Sequence, residues 1–482
     1  MSSDKIILLA CFAIYIVLMF VVSGLTAGRK KQTGVDYTLA GRSVPLFLII
    51  GSAVATQVGT GASMGATGFG YTNGWAAVLY GLGMAIGIVV CGKLFYHTRE
   101  WEVNTLSEEL GVYFGANKWV MNIVTISMYL ASVGWLGAHI VGGGMYLAWL
   151  TDLDLTTSRL IVGVITALFV LKDGYGGVTW IATAQAVILF FGFIILGIAA
   201  LITVGGFDAL KASAPDGAYT FLGLGKLSPI HAVSVVMAEI MSILAVPSFR
   251  QRIYSSKDGK SLKIGFYVTG VISLVFSFIP PILGMTAYAF NPNLELVNYA
   301  FPYLAMTVLP LWLGVVALIS GLSATMSSAA GDASAAMNIM VNDCYQMVYK
   351  RNPPENKVIS LSRWAVSITV LIAIIGTLTA EDVLSYITSM VGLLLTGQAV
   401  AGIMGRLWKR ATWQGAIAAI LGGAIGTVCF QYIDALNSLF GFAVLPSVIF
   451  ATVAGVVVSL LTPRNNVTWA DALQTIKNNR HI

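Results

Sequence analysis

Apolar stretches of about 20 residues recur from one end of the chain to the other, separated by short polar segments. Each stretch is long enough to cross roughly 30 Å of hydrocarbon as an α-helix. The pattern therefore predicts an all-α polytopic membrane protein, a single transmembrane domain over residues 1–482 with about 13 spans. The predicted spans are 5–27, 45–71, 74–96, 118–150, 158–172, 176–205, 232–249, 262–290, 312–346, 358–379, 383–408, 411–432 and 440–462.

The composition agrees with this pattern, and the charges add an orientation. The chain is 57% hydrophobic and 10% charged, against roughly 25% charged residues in soluble domains. Lys and Arg concentrate in alternate loops, beginning with Arg29, Lys30 and Lys31. Because cytoplasmic loops carry the excess of positive charge, the N-terminus is predicted outside and the C-terminus in the cytoplasm. The same bias explains the net charge of +6, so no nucleic-acid partner is predicted. The predicted partner is the lipid bilayer, and the predicted location is a bacterial inner (plasma) membrane.

Two of the predicted spans contain helix-breaking residues at corresponding places. The second span carries a run of glycines from Gly59 to Gly70, each of which weakens an α-helix by about 1 kcal/mol. The seventh contains Pro247, which removes a backbone donor. Either feature alone is explained by close helix packing in membranes. Together they favour a transporter with two five-helix inverted repeats, 45–205 and 232–408, followed by two peripheral helices over 411–462.

The sequence "LSATMSSAAGDAS" puts hydroxyl groups and a carboxylate in the middle of the ninth predicted span. Polar groups without partners cost several kcal/mol in hydrocarbon, so these side chains need partners. The Ser327 and Ser328 hydroxyls and the Ala324 carbonyl are hard oxygens that suit a small alkali cation. Carbonyls freed near Ala55 and Val58 would complete five neutral ligands for sodium. The alternative is that both serines bond back to the preceding turn and only assist packing.

Six segments of the sequence carry a resemblance to a known family. They are "DYTLAGRS" (36–43), the glycine-rich second span, "YGGVTWIATAQ" (175–185), "FRQRIYSSKD" (249–258), "LSATMSSAAGDAS" (322–334) and "GRLWKR" (405–410). In order and spacing they resemble the sodium–solute symporter family, which includes sodium/glucose, sodium/proline and high-affinity choline transporters. The resemblance covers nearly the whole chain. It implies a LeuT-like five-plus-five core, transport rather than enzymatic activity, and sodium-driven uptake of a small organic solute by alternating access.

The resemblance also implies a sodium site. The family's ligand positions fall on the carbonyls of Ala55, Val58 and Ala324 and on the hydroxyls of Ser327 and Ser328. The aspartate and serines of the second site that some relatives hold are replaced by Ala182, Ala330 and Gly331, so one bound sodium ion is expected.

Asp332 lies one helical turn after Ser328, on the same face. A carboxylate inside a membrane span is a functional candidate, and we interpret Asp332 as part of the sodium exit path towards the cytoplasm. The alternative is a structural carboxylate that is protonated or paired with Arg or Lys.

The solute is expected between the two broken helices, beside the sodium ion. Candidate contacts are Gln57, Trp135, His139 and Glu239, and the resemblance implies Tyr80 as an extracellular gate residue. A carboxylate at position 239 favours a solute with a positive charge, to which Trp135 adds a cation–π face worth roughly 0.5–2 kcal/mol. The prediction is an amino acid or another amine-bearing solute. Core packing is the alternative for His139, and a protonated or backbone-bonded carboxyl group is the alternative for Glu239.

Other transport functions stay open from the sequence alone. The first is sodium-coupled uptake of a sugar or carboxylate, although the positions that match sugar contacts in the family hold Ala62, Gly81, Ser273 and Thr388. The second is a sodium-independent uniporter or channel, which would also use broken helices and oxygen-lined sites. Transport that needs no sodium gradient would distinguish this second function from symport.

Overall fold

A computed structural model describes residues 3–26, 33–377, 387 and 389–480, and over these residues the protein is built from helices. The α-helices are α1 (Ser3–Thr26), α2 (Gly34–Leu39), α3 (Leu46–Gln57), α4 (Ala66–Asn73), α5 (Val78–Phe95), α6 (Leu106–Tyr113), α7 (Lys118–Thr151), α8 (Leu155–Val204), α9 (Gly206–Ser213), α10 (Pro229–Ala245), α11 (Pro247–Ser255), α12 (Gly259–Phe276), α13 (Ile279–Phe290), α14 (Ala300–Val308), α15 (Leu311–Ile339), α16 (Tyr345–Tyr349), α17 (Glu355–Gly376), α18 (Thr396–Leu407), α19 (Trp413–Tyr432), α20 (Asp434–Phe440), α21 (Val444–Leu461) and α22 (Trp469–Arg480). Wider π-helical turns occur at Gly61–Gly65, Met340–Cys344 and Val391–Leu395.

Nine helical segments in the described part of the chain are long and apolar enough to cross a membrane, and the bent pair α10 and α11 makes a tenth. The all-α polytopic class predicted from the apolar pattern is therefore confirmed. Predicted spans 158–172 and 176–205 lie on one helix, α8, which bends at Gly174 with φ +62° and ψ −156°. A Cβ at this glycine would lie 2.4 Å from the Tyr37 carbonyl oxygen, so glycine permits both the bend and the close contact.

A few predicted features lie outside the described residues. They are Arg29, Lys30 and Lys31 of the first loop, Thr388, and the ends of the predicted spans 5–27, 358–379 and 383–408 that border these gaps. The last of these spans is described from the π-turn at Val391–Leu395 onwards, and it continues as α18.

Both predicted helix breaks are present. The first lies after α3, where Val58 leaves the helix with φ −79° and ψ +44° before the π-turn leads into α4. The second lies at Val246, which has φ −55° and ψ +128° and separates α10 from α11 with a bend of 43°. Pro247 occupies the first position of α11, where the donor that proline lacks is not needed. Both breaks are buried, so the backbone groups that they free must find partners inside the protein.

Helix α15 forms the centre of the bundle. Of the residues in its most apolar window, 83% are buried, compared with 28% for α1 and for α8. It packs against α3, α7 and α8, and every residue from Ser320 to Ile339 is buried. Its many Ala, Ser and Gly residues allow the neighbouring backbones to approach closely. The exposed residues of α1 and α8 are mainly apolar, as a lipid-facing surface requires.

Candidate functional site

Ser327 and Ser328 of α15 meet backbone carbonyls at the first break. The Ser327 hydroxyl donates to the Ala55 carbonyl at 3.0 Å and lies 3.0 Å from the Ala324 carbonyl. The Ser328 hydroxyl lies 2.9 Å from the Thr56 carbonyl, 3.1 Å from that of Ala324 and 3.3 Å from that of Ala55. Both side chains are at most 1% exposed. The structure thus brings the predicted ligand atoms of Ala55, Ala324 and the two serines into one buried oxygen cluster.

The same break explains one oxygen that sequence reasoning did not identify. In a continuous helix the Thr56 carbonyl would accept from the Thr60 N–H, but that N–H donates to His139 Nδ1 at 3.4 Å. The Thr56 carbonyl is therefore available to the oxygen cluster. A signal for it existed, because Thr60 follows Thr56 by four residues across a predicted break. Val58, the remaining predicted ligand, is the residue that ends α3.

A cavity lies beside the oxygen cluster, between the two broken helices. It is lined by Gln57 and Gly59 at the first break, Tyr80 of α5, Trp135 and His139 of α7, Val246 and Ser248 at the second break, and Asp332 of α15, among others. The Trp135 and His139 rings stack with centroids 5.7 Å apart and planes 26° apart. Gln57 Oε1 accepts a hydrogen bond from the Ser273 hydroxyl. Of the predicted solute contacts, the structure therefore places Gln57, Trp135 and His139 around one space.

His139 links the first break to Asp332. Its Nδ1 lies 2.9 Å from the Thr60 hydroxyl and accepts from the Thr60 N–H, which leaves Nε2 to carry a ring N–H. Nε2 lies 3.2 Å from Asp332 Oδ2 and donates to it. Both side chains are almost fully buried. His139 is therefore a partner of the carboxylate as well as a wall of the cavity.

Glu239 occupies a different position from the other predicted contacts. It is fully buried on α10, where a Cβ at Gly83 of α5 would lie 2.8 Å from the Glu239 Cβ. Its carboxyl group interacts with Tyr80, whose hydroxyl oxygen would be 2.0 Å from a Cβ at Gly61. Within the described residues Glu239 is absent from the cavity lining. Tyr80 therefore stands between Glu239 and the cavity.

Two arginines follow the second break, and sequence reasoning did not give either of them a structural partner. Arg252 Nη2 donates to the Ser52 carbonyl at 2.8 Å and to Thr56 Oγ1 at 2.6 Å. Its Nη1 donates to the Ser248 carbonyl at 2.6 Å. Arg252 thus joins the two broken helices, and Arg250 forms a buried ion pair with Glu109 at N–O distances of 3.0 and 3.2 Å.

Discontinuous helices that meet at a buried cluster of oxygens and an adjoining cavity define the class of secondary membrane transporters. The profile of the sodium:solute symporter family matches residues 37–426, so the chain belongs to the sodium:solute symporter family. The resemblance found in the sequence motifs is confirmed, as is transport rather than enzymatic activity.

Relatives with known roles match almost the whole chain. The sodium/glucose cotransporter of Vibrio parahaemolyticus is 24% identical, with 94% of this chain and 90% of that protein covered. The sodium/proline symporter of Escherichia coli (strain K12) is 23% identical, with 94% of this chain and 93% of that protein covered. The sodium/pantothenate symporter of Haemophilus influenzae is 23% identical and covers 93% and 96%.

Solved structures establish the fold. A sodium-coupled sialic acid symporter in a substrate-bound outward-open state matches with a TM-score of 0.77 at 18% identity, over 96% of this chain and 99% of that one. A nucleobase-cation-symport-1 family transporter in a closed conformation matches with a TM-score of 0.58 at 12% identity, over 91% and 98%. These chains share the LeuT-like transporter fold, as the resemblance implied.

Proposed function

We propose that this sodium-coupled symporter takes up an amino acid or another small amine-bearing solute together with one sodium ion. The observation that carries the proposal is the buried oxygen cluster of Ser327, Ser328 and the carbonyls of Ala55 and Ala324. Carbonyl and hydroxyl oxygens carry partial negative charge and no net charge, as a site for a monovalent ion requires. The Val58 carbonyl, at the end of α3, is the proposed fifth ligand.

Sodium binding at this cluster would couple helices that move relative to one another. Ala55 and Val58 belong to the first broken helix, whereas Ala324 and the two serines belong to α15. In the structure the serine hydroxyls bridge the two elements by hydrogen bonds. With an ion, the hydroxyl hydrogens turn away and all the oxygens point at one charge. Sodium therefore stabilises one arrangement of the two elements, which is the basis of coupled transport.

The proposed solute site is the cavity lined by Gln57, Trp135 and His139. Trp135 offers an aromatic face to a cationic group at roughly 0.5–2 kcal/mol. Glu239 contributes negative charge from behind Tyr80, and Tyr80 serves as the gate whose movement brings Glu239 into reach of the cavity. The names of the relatives cover glucose, proline and pantothenate, so the choice of an amine depends on these residues and not on the family.

Asp332 is the residue that we propose contacts sodium on its exit path towards the cytoplasm. It lies one turn from Ser328 on α15 and borders the cavity. Its carboxylate would receive the ion after the oxygen cluster loosens. His139 donates a hydrogen bond to this carboxylate and Arg252 interacts with it electrostatically, which keeps the carboxylate from trapping sodium.

The proposed topology has about 13 spans, with the N-terminus outside and the C-terminus in the cytoplasm of a bacterial inner membrane. The inverted repeats are residues 45–205 and 232–408, and residues 411–462 form two peripheral helices. Support comes from the matching positions of the two breaks, each in the first helix of its repeat.

Sodium dependence is the test of the function. We expect sodium chloride to raise the unfolding temperature of the purified protein in a saturable manner, and potassium chloride at the same concentration to leave it unchanged. Proteoliposomes should accumulate a radiolabelled amino-acid mixture only under an inward sodium gradient. Equal stabilisation by potassium, or uptake without a sodium gradient, would instead indicate a uniporter or channel.

Gly59 offers a steric test of the oxygen cluster. A Cβ at this position would lie 2.5 Å from Ser328 Oγ and 2.8 Å from His139 Cε1. Overpacking of this kind costs about 1–3 kcal/mol, so Gly59→Ala is expected to raise the sodium concentration for half-maximal thermal stabilisation by roughly tenfold. Gly376→Ala is the matched control, because its Cβ meets nothing within 4 Å. An unchanged sodium response in Gly59→Ala would place the ion elsewhere.

A further inference from the structure

Four buried polar atoms on the cavity lining have no hydrogen-bond partner within the described part of the protein. They are Tyr80 Oη, Trp135 Nε1, Ser248 Oγ and Asp332 Oδ1. Tyr80 is 2% exposed and interacts with Glu239, which lies outside the lining, and the other three residues are 6%, 1% and 1% exposed. Buried polar atoms are nearly always paired in folded proteins. Atoms left unpaired around one cavity therefore specify what a bound molecule must offer.

Asp332 Oδ1 requires a hydrogen-bond donor. The other carboxylate oxygen, Oδ2, already accepts from His139 Nε2. Arg252 interacts electrostatically with Asp332. The Arg252 nitrogens, however, donate to oxygens of Ser52, Ser248 and Thr56. Asp332 Oδ1 is thus a carboxyl oxygen without a hydrogen bond, on a residue that lines the cavity. An ammonium N–H is the donor that suits a carboxylate best.

Trp135 and Ser248 require the opposite chemistry. The indole Nε1–H of Trp135 can only donate, and the Ser248 hydroxyl is free to do so. Ser248 also lies in the first turn of α11, a nine-residue helix whose N-terminus is at the second break. The N-terminal end of a helix favours a negative group. These two donors therefore suit a carboxylate.

We infer that the solute is a zwitterionic amino acid, with its primary or secondary ammonium group on Asp332 Oδ1 and its carboxylate at Ser248 and Trp135. The inference rests on the proposed function and narrows its solute class. It uses the Nε1–H of Trp135 for the carboxylate, in place of the aromatic face proposed above for a cationic group. A quaternary ammonium lacks the N–H that Asp332 Oδ1 requires. A simple amine leaves Ser248 and Trp135 unpaired, and a sugar brings no charge for Asp332 to bind.

The assignment gives the ammonium to Asp332 rather than to Glu239. Glu239 lies behind Tyr80 and outside the cavity lining, so its charge acts on the solute only through Tyr80 or after Tyr80 moves. Asp332 borders the cavity directly. The sodium exit path proposed for Asp332 is compatible with this role, because the carboxylate can receive the ion once the ammonium has left.

The test uses thermal stabilisation of the purified full-length protein in saturating sodium. The probes are the twenty protein amino acids, then the deaminated acid and the decarboxylated amine of the strongest one, with glucose and choline alongside. We expect a shift with at least one amino acid and at least roughly tenfold weaker binding of both half-molecules. Asp332→Asn should weaken binding of the amino acid roughly tenfold. It should leave binding of the deaminated acid unchanged, since that acid has no ammonium.

Two further variants separate the two carboxylates. Glu239→Gln is expected to weaken binding of the amino acid less than Asp332→Asn does. The exposed control Asp434→Asn should have no effect on this binding. A larger effect of Glu239→Gln would overturn the assignment. Equal binding by a half-molecule, or a sodium-dependent shift with glucose or choline and none with any amino acid, would overturn the zwitterion and leave sodium symport intact. No shift with any probe would also overturn the zwitterion. Insensitivity to sodium itself would instead refute the proposed function.

Discussion

Replacing Ser327 and Ser328 together by alanine is expected to raise the sodium concentration needed for half-maximal stabilisation by roughly 100-fold and to abolish sodium-driven uptake. Each serine supplies one hydroxyl oxygen to the proposed site. A hydrogen-bonding group that serves a charge contributes about 1.5–3 kcal/mol, and 1.4 kcal/mol corresponds to about tenfold in affinity. Loss of both oxygens leaves the ion with only the backbone carbonyls of Ala55, Val58 and Ala324, three of its five proposed ligands.

The measurement is a sodium titration of the unfolding temperature, with potassium keeping the ionic strength constant. Ser320→Ala is the matched control. Ser320 is a fully buried serine on the same helix, and its hydroxyl donates to the Ala317 carbonyl of that helix. This variant should retain the sodium response of the parent protein. A double variant of Ser327 and Ser328 with a normal sodium titration would show that the pair only assists packing.

The same titration also separates the loss of sodium binding from a general loss of protein stability. The serine hydroxyls bridge α15 to Ala55 and Thr56 by hydrogen bonds, so the double variant is expected to unfold at a lower temperature even without sodium. That loss is a few kcal/mol at most, because each neutral hydrogen bond contributes about 1 kcal/mol net. The sodium-dependent part of the stabilisation is the quantity that reports the site.

Local chemistry explains which parts of the structure the sequence could predict. Spans follow from apolar runs, and the breaks at Val58 and Val246 follow from glycines and from Pro247. The position of Ser327 and Ser328 opposite the first break could be proposed because both features are visible in the sequence. The bend at Gly174 was predicted only as a gap between two spans, because apolar periodicity does not report whether a helix ends or turns.

Contacts between distant residues could not be predicted in the same way. Glu239 was assigned to the solute from its depth in the membrane, but depth along a helix does not show which neighbour covers the side chain. In the structure Tyr80 lines the cavity and Glu239 is absent from its lining. For His139 the sequence favoured core packing over binding, and only the Thr60 and Asp332 contacts show that it has polar partners on both ring nitrogens. Such pairings depend on how the helices pack.

The ion pair between Arg250 and Glu109 is another such contact, and it gives the largest expected effect on stability. Arg250 Nη1 lies 3.0 and 3.2 Å from the two Glu109 oxygens, and both residues are at most 1% exposed. Tyr254 donates to the same carboxylate at 2.6 Å. The guanidinium group also lies 3.9 Å from the Phe95 ring centroid and donates to the Leu244 carbonyl at 2.8 Å. The charges are thus fully compensated inside the protein.

Removing one partner should therefore cost far more than removing both. Arg250→Met leaves the Glu109 carboxylate buried without a cation, and Glu109→Leu leaves the guanidinium without an anion. Breaking a buried pair in this way costs about 3–5 kcal/mol, whereas apolar replacement of both partners is often close to neutral. We expect each single variant to unfold at a clearly lower temperature than the parent, and the double variant to recover much of the loss.

Recovery of stability in the double variant should stay incomplete, because Arg250 also donates a hydrogen bond outside the ion pair. Its Nε–H donates to the Leu244 carbonyl, which the break at Val246 deprives of its helical partner. Methionine cannot donate to this oxygen, so a buried acceptor remains unpaired at about 1–3 kcal/mol. The expected order of unfolding temperatures is the parent, then the double variant, then Glu109→Leu and Arg250→Met.

The exposed pair between Lys477 and Glu102 provides the comparison. Its N–O distance is 3.7 Å and its side chains are 35% and 59% exposed, so Lys477→Met should cost no more than about 1 kcal/mol. Thermal unfolding of all five proteins under one set of conditions measures the coupling between Arg250 and Glu109 directly. If the double variant lost as much stability as the two single variants combined, Arg250 and Glu109 would have no coupling energy. The break at Val246 would then be stabilised by its backbone and aromatic contacts and not by the ion pair.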